Sequence, residues 1–204
     1  MDSEQLARII NALDPVFSFR YGEENKFRWF YSFGTLLYFI RDKNMGKKFN
    51  GDFDISVLDG GNIDAPDFID NMNQFGFKLK RKVLNNETGK PLNLVFEHQE
   101  IKGIGIDVYF WIKGGNYYWH SFSEGFAKHE KYVFKATPKL AFKGKLWQYS
   151  WEEIALPIPV PHLYGTLLDI WYPGWFIPDR DFGYSRAAKT VETKRCTNLE
   201  GKLV

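Results

Sequence analysis

The sequence predicts an α+β protein with a central mixed β-sheet flanked by helices. Three observations predict it. A few segments carry apolar residues at helical spacing, beginning with Leu6, Ile9, Ile10 and Leu13. Runs rich in aromatic and β-branched residues, bounded by Gly, Asn and Pro, fill the middle of the chain. The two kinds of segment are interspersed rather than segregated, which favours a mixed sheet over an all-helical or all-strand domain.

The elements follow in order. Ser3 is an N-cap candidate for a first helix, which Asp14-Pro15 should end. Phe27 to Phe33 reads as a short aromatic strand, broken by Gly34-Thr35, and Leu36 to Asp42 as a helix with one apolar face. A polar loop with Lys43, Lys47 and Lys48 leads to a strand from Asp52 to Leu58 and a Gly-Gly turn. Pro66 to Phe75 reads as a helix, with Pro66 in its first turn and Gly76 at its end. Strands are expected at Phe77 to Leu84, Leu92 to Glu97, Gly105 to Ile112 and Tyr117 to Phe122, joined by turn-forming residues. Short strands fill Lys131 to Val160, with an extended Leu156 to Pro161, and a helix spans His162 to Tyr172 before Pro173-Gly174 stops it. No repeat or linker divides the chain. Residues 1–182 therefore read as one domain and residues 183–204 as a polar, loosely ordered tail.

Composition narrows the function classes. With 204 residues and 44% hydrophobic content the chain is long enough and apolar enough for a substantial core. A net charge of +2 is close to balanced, which argues against a nucleic-acid partner. The single cysteine, Cys196, forms no internal disulfide and builds no cysteine zinc site. The beginning of the chain is acidic and polar, unlike a secretory signal. No run approaches the roughly 20 apolar residues of a transmembrane segment. These features lead to the expectation of a cytoplasmic protein, with the membrane surface as an alternative station.

The residues that carry chemistry are acidic. Asp52 and Asp54 alternate on one strand and so share a face, and Asp107 sits among apolar neighbours on another strand. Carboxylates beside apolar strands are costly unless something positive compensates them. Mg²⁺ or Mn²⁺ held by oxygen ligands would do so, and Mg²⁺ usually adds substrate phosphates to one or two carboxylates. Gly34 lets a phosphate approach backbone N–H groups at a helix start, and the Thr35 hydroxyl adds a donor. Arg41 and Lys48 complete a donor-binding set by neutralising phosphate charge. Each feature alone has a plainer reading. An Asp-x-Asp is more often a turn or surface pair, Arg41 could pair with Asp42, and Lys47 and Lys48 could be solvated loop charges. Their order along the chain favours a site.

The run Phe33-Gly-Thr-Leu-Leu-Tyr-Phe-Ile-Arg41, followed by Asp52-Phe-Asp-Ile55, resembles the signature of the LicD/fukutin family. Asp107 is similar to that family's third acidic position. The segment Trp151 to Pro161 and the following Leu-Tyr-Gly-Thr-Leu-Leu-Asp-Ile-Trp-Tyr172 also look similar. Asn50-Gly51 stands where members often carry further aspartates. The resemblance spans roughly Phe27 to Pro178, with three short firm stretches. It implies a nucleotidyltransferase-like fold and transfer of a phospho-alcohol (phosphocholine, ribitol phosphate or glycerol phosphate) from a CDP-activated donor to a saccharide or lipid-linked glycan acceptor. Asp52, Asp54 and Asp107 would be metal-binding and catalytic. Two alternatives stay open: nucleotidyl transfer from a nucleoside triphosphate, and a non-catalytic glycan-binding module of the same fold. The aromatic cluster Trp171, Tyr172 and Trp175 is a candidate saccharide platform. The four histidines, His98, His120, His129 and His162, lack metal-ligand spacing.

Overall fold

The computed structural model describes residues 3–18, 28–42, 51–59, 63–85, 88–123, 132–143, 146–151, 156–177 and 193–195. Over these residues the protein is α+β, with four α-helices and a mixed sheet. The order is α1 (Ser3–Ser18), β1 (Arg28–Tyr31), α2 (Phe33–Leu37), β2 (Asp52–Leu58), α3 (Ala65–Gln74), β3 (Phe77–Leu84), β4 (Pro91–His98), β5 (Gly105–Gly114), β6 (Tyr117–Ser123), β7 (Tyr132–Pro138), β8 (Leu146–Trp151), β9 (Leu156–Pro161), α4 (Tyr164–Trp171) and β10 (Thr193–Arg195).

The main sheet has 8 strands in the order β1-β2-β5-β6-β7-β10, and β4 also pairs with β5 and carries β3 outside it. Only β2 and β5 run parallel, and every other pairing is antiparallel. The crossover from β2 to β5 passes through α3 and the β3–β4 hairpin. It is this crossover that sets two acidic strands side by side although about fifty residues separate them.

Helices cover both faces of the sheet. On one face Phe17 of α1 stacks on Trp29 of β1, and Phe68 of α3 meets Phe17, Phe96 and Phe110. The rows Phe53-Ile55-Val57 and Ile106-Val108-Phe110 point to this side and are buried. On the other face Phe33 at the start of α2 packs on Tyr109, Trp111 and Trp171 of α4. Leu167, Leu168 and Trp171 bury the inner side of α4.

Several expected boundaries shift. The first helix does not stop at Pro15 but continues to Ser18. The loss of one backbone donor at Pro15 is outweighed because Val16 and Phe17 extend the apolar stripe into the core. The aromatic strand is shorter than expected, and Phe33 belongs to α2. The second helix closes after Leu37 into one wider π turn, Tyr38–Asp42. Thr193–Arg195, within the expected tail, pairs antiparallel with β7. No helix among the described residues is long and apolar enough to cross a membrane.

Candidate active site

The acidic residues meet at the start of the parallel pair. Asp54 is in register with Asp107, and Asp52 with Gly105. Register partners share a face, so Asp52, Asp54 and Asp107 all point to the side covered by α2 and α4. Gly105 leaves room for this arrangement. A Cβ built there would lie 2.6 Å from Asp52 Oδ1. At Gly34 a Cβ would stand 3.4 Å from Asp54 Oδ2, an ordinary contact, so the start of α2 lies directly against the carboxylate.

The helix start is built around Asp54. The backbone N–H groups of Gly34 and Thr35 donate to its carboxylate. The Asp54 N–H donates to Thr35 Oγ1 at 2.8 Å, and that hydroxyl donates to the Asp52 carbonyl at 3.4 Å. Ser32 N–H donates to the Asp54 carbonyl at 2.9 Å. Phe33 takes the left-handed backbone conformation, with φ 45°, which turns the chain into these contacts. Its ring, lodged among Tyr109, Trp111, His120 and Trp171, compensates that strained backbone.

The carboxylates resist ionisation together. Burial, followed by the charges of Asp107 and Asp52, pushes Asp54 well above the usual range, against the two amide hydrogen bonds that pull it down. Burial raises Asp107 to about 6, with Asp52 adding to the rise and Arg81 and the Tyr109 hydroxyl opposing it. Tyr109 Oη donates to Asp107 Oδ2 at 3.4 Å. Asp52, the most exposed of the set, is also raised by burial.

Oxygen ligands that repel one another on a partly desolvated face suit a hard divalent cation. Among the described residues no group of three His, Cys, Asp or Glu side chains is gathered as a ready-made metal cage. Mg²⁺ needs no such cage, since it is commonly bound by one or two carboxylates together with substrate phosphates and water. The donor set here fits that mode.

The remaining expectations separate. Gly34 and Thr35 lie at the site, with their amides directed at Asp54 and the Thr35 hydroxyl held by the β2 backbone. Arg41 makes a two-pronged pair with Asp42, at 2.7 and 2.8 Å, and donates to the Trp175 carbonyl at 3.3 Å. It therefore ties the π turn to the segment after α4. Lys48, like Lys43 and Lys47, lies outside the described residues, as do Cys196 and His129. Trp171 is not an open saccharide platform: it is 2% exposed, and its indole N–H donates to Thr137 Oγ1. His98 accepts the N–H groups of Glu100 and Ile101 and shapes a turn.

Two residues of this face were missed in the sequence. Tyr109 lies two positions beyond Asp107, and strand alternation alone places it beside that carboxylate. Arg81 was hidden because a register irregularity between Leu79 and Arg81 resets the alternation of β3.

No protein-family model and no curated protein matches this sequence.

Proposed function

We propose that the protein is a divalent-metal-dependent phosphotransferase, similar to the LicD/fukutin family, which moves a phospho-alcohol from a CDP-activated donor to a glycan hydroxyl. The observation that carries this reading is the parallel register of Asp54 with Asp107, with Asp52 on the same face. The resemblance of Phe33 to Arg41 and Asp52 to Ile55 suggests the donor class, and the three carboxylates on one face support a metal-bridged phosphate donor, while the Gly34 and Thr35 amides expected to meet its phosphates are directed at Asp54 instead.

In this reading Asp52 and Asp54 hold Mg²⁺ or Mn²⁺, together with substrate phosphates and water, and Asp107 completes the site beside them. When bound, the ion supplies Lewis-acid polarisation of the phosphoryl group. The chain's own residues do the rest. Gly34 and Thr35 fix Asp54 through the amide and hydroxyl contacts described above. Asp107, raised and half-enclosed, takes the proton of the acceptor hydroxyl. The acceptor oxygen forms a bond to the phosphorus bearing the alcohol, the bond from that phosphorus to the CMP oxygen breaks, and CMP leaves with the electron pair. Tyr109 orients the Asp107 carboxylate.

A screen of CDP-choline, CDP-ribitol and CDP-glycerol with Mg²⁺, followed by release of CMP, tests the reading. Transfer should vanish in Asp54→Asn while the fold is retained. Full activity in that variant contradicts the mechanism. Pyrophosphate release from a nucleoside triphosphate would reassign the protein to nucleotidyl transfer.

A further inference from the structure

We propose that Arg81 is the phosphate-anchoring residue of this face, binding the anionic groups of the ligand that the carboxylates receive. The inference rests on the reading of the face as a phosphate-transfer site, and it adds a residue which neither the motif nor the resemblance contains.

Arg81 pairs with Val95, Val95 with Asp107, and Asp107 with Asp54, which makes one continuous row across β3, β4, β5 and β2. All members of such a row project to the same side of the sheet. Two strand spacings of about 4.8 Å separate the Arg81 and Asp107 backbones, and an extended arginine side chain covers most of that distance. The charge of Arg81 is felt at Asp107. The irregularity between Leu79 and Arg81 brings this about. Leu79 is in register with Phe96, on the side of α1 and α3, whereas Arg81 falls on the carboxylate side. Bulges recur beside active sites because they re-aim a side chain.

The next row has a different arrangement. Glu97 is in register with Gly105 and so with Asp52, but it is paired with Lys80 at 2.8 Å. Lys80 is thus committed to the sheet edge. Arg81 is half-buried and lies in the register row of Asp107, on the carboxylate side of the sheet. A guanidinium in that position offers a planar fork to phosphate oxygens, which a lysine does not. Edge strands often carry cations simply to discourage pairing, and Lys82, exposed and in register with Leu94 on the opposite side, fits that plainer use.

The test is calorimetric titration of inorganic pyrophosphate with excess Mg²⁺ into the full chain. Arg81→Gln should weaken binding by about tenfold or more, since a charge-assisted contact is lost. Arg81→Lys should weaken it by a smaller factor, and Lys82→Gln should leave it unchanged. Unchanged affinity in Arg81→Gln overturns the proposal, as does a wild-type protein that binds no Mg²⁺-pyrophosphate. Should Arg81→Gln fail to fold, Arg81→Lys decides: reduced affinity supports the proposal and equal affinity overturns it. The two readings fail separately. CMP release with Arg81→Gln unaffected in binding removes only the arginine's role. Weakened pyrophosphate binding in a protein that transfers nothing from any CDP donor removes only the phosphotransferase.

Discussion

Asp54 and Asp107 stand in register on the only parallel strand pair of the described sheet, carboxylate beside carboxylate. Like charges in such positions destabilise the sheet that holds them, and burial adds to the penalty. The site is therefore a stability cost carried by an otherwise apolar fold. Asp107, with Asp52, Asp54, Arg81 and Tyr109 around it, is raised to about 6 from a model-peptide value of 3.8. A raised carboxyl favours the native state at low pH, and that contribution is lost as pH rises through the folded value. At pH 7.5, without metal, Asp107→Asn should thus be more stable than the wild type, by roughly 2–5 °C in Tm. The gain should shrink as pH falls toward 4. A variant that is less stable than wild type at pH 7.5, in thermal unfolding across that range, contradicts the electrostatic account.

Thr35 offers a sharper test of how the site is assembled. Its hydroxyl accepts the Asp54 N–H and donates to the Asp52 carbonyl, and the residue is fully buried. Thr35→Val preserves the shape but strands a buried amide, at a cost of about 1–3 kcal/mol. Thr35→Ser keeps the hydroxyl and should lose little. Hydrogen exchange at the Asp54 amide should accelerate in the valine variant and stay near wild type in the serine variant. Equal protection in both would show that the hydroxyl does not hold β2 to α2.

Much of this arrangement was legible in the sequence because it depends on short periods. Alternation fixed the common face of Asp52 and Asp54, and the strands from Asp52 to Ser123 closely follow their expected ranges. The parallel pairing of β2 with β5 was not readable. It depends on which strand a crossover returns to, a choice made by packing of α1 and α3 against residues far apart in the chain. Gly34-Thr35 was readable as a helix start, but not that its amides would be directed at Asp54, since that needs the distance between two elements. Pro15 misled because a local rule met a stronger tertiary demand from Val16 and Phe17. Arg81 escaped because an irregularity between Leu79 and Arg81 reverses the parity of β3 from Arg81 to Val83, before a second one at Val83/Leu84.

The glycines at the mouth of the site should divide by mechanism. Gly51 has φ 89°, and a Cβ there would overlap the Gly103 carbonyl, a backbone atom that does not yield easily. Gly51→Ala should lower stability markedly, by about 2 kcal/mol or more. At Gly105 the obstacle is the end of the Asp52 side chain, which rotates away at small cost. Gly105→Ala should keep its Tm within about 2–3 °C of wild type, the shift expected of a change below ~1 kcal/mol in a chain of this size, yet weaken the proposed Mg²⁺-dependent transfer, because Asp52 is displaced. Parallel measurement of unfolding and CMP release separates the two. A Gly105→Ala protein with unaltered activity would remove Asp52 from the mechanism.

His120 provides a pH signature independent of the carboxylates' chemistry. Its imidazole is 1% exposed, lies 4.2 Å centroid to centroid from Trp111, and also meets Phe33 and Tyr109. Burial first, and the charge of Lys135 second, lower it to about 3, while a backbone hydrogen bond with Lys135 opposes the shift. The unfolded chain takes up a proton near pH 6.5 that the folded chain refuses, so native stability declines as pH falls from there toward 3. Over the span from pH 6.5 to 4.5 this amounts to about 2–3 kcal/mol. Asp107 works in the opposite sense between its folded and unfolded values, so the comparison must be against wild type at each pH. His120→Phe retains a ring against Trp111 and removes the titrating group, and its denaturant midpoint should fall less steeply with acid than that of the wild type. Imidazole resonances assigned to His120 should report a neutral ring at pH 5. A protonated ring at that pH, or parallel acid limbs for the two proteins, would show that this histidine is not excluded from water in solution.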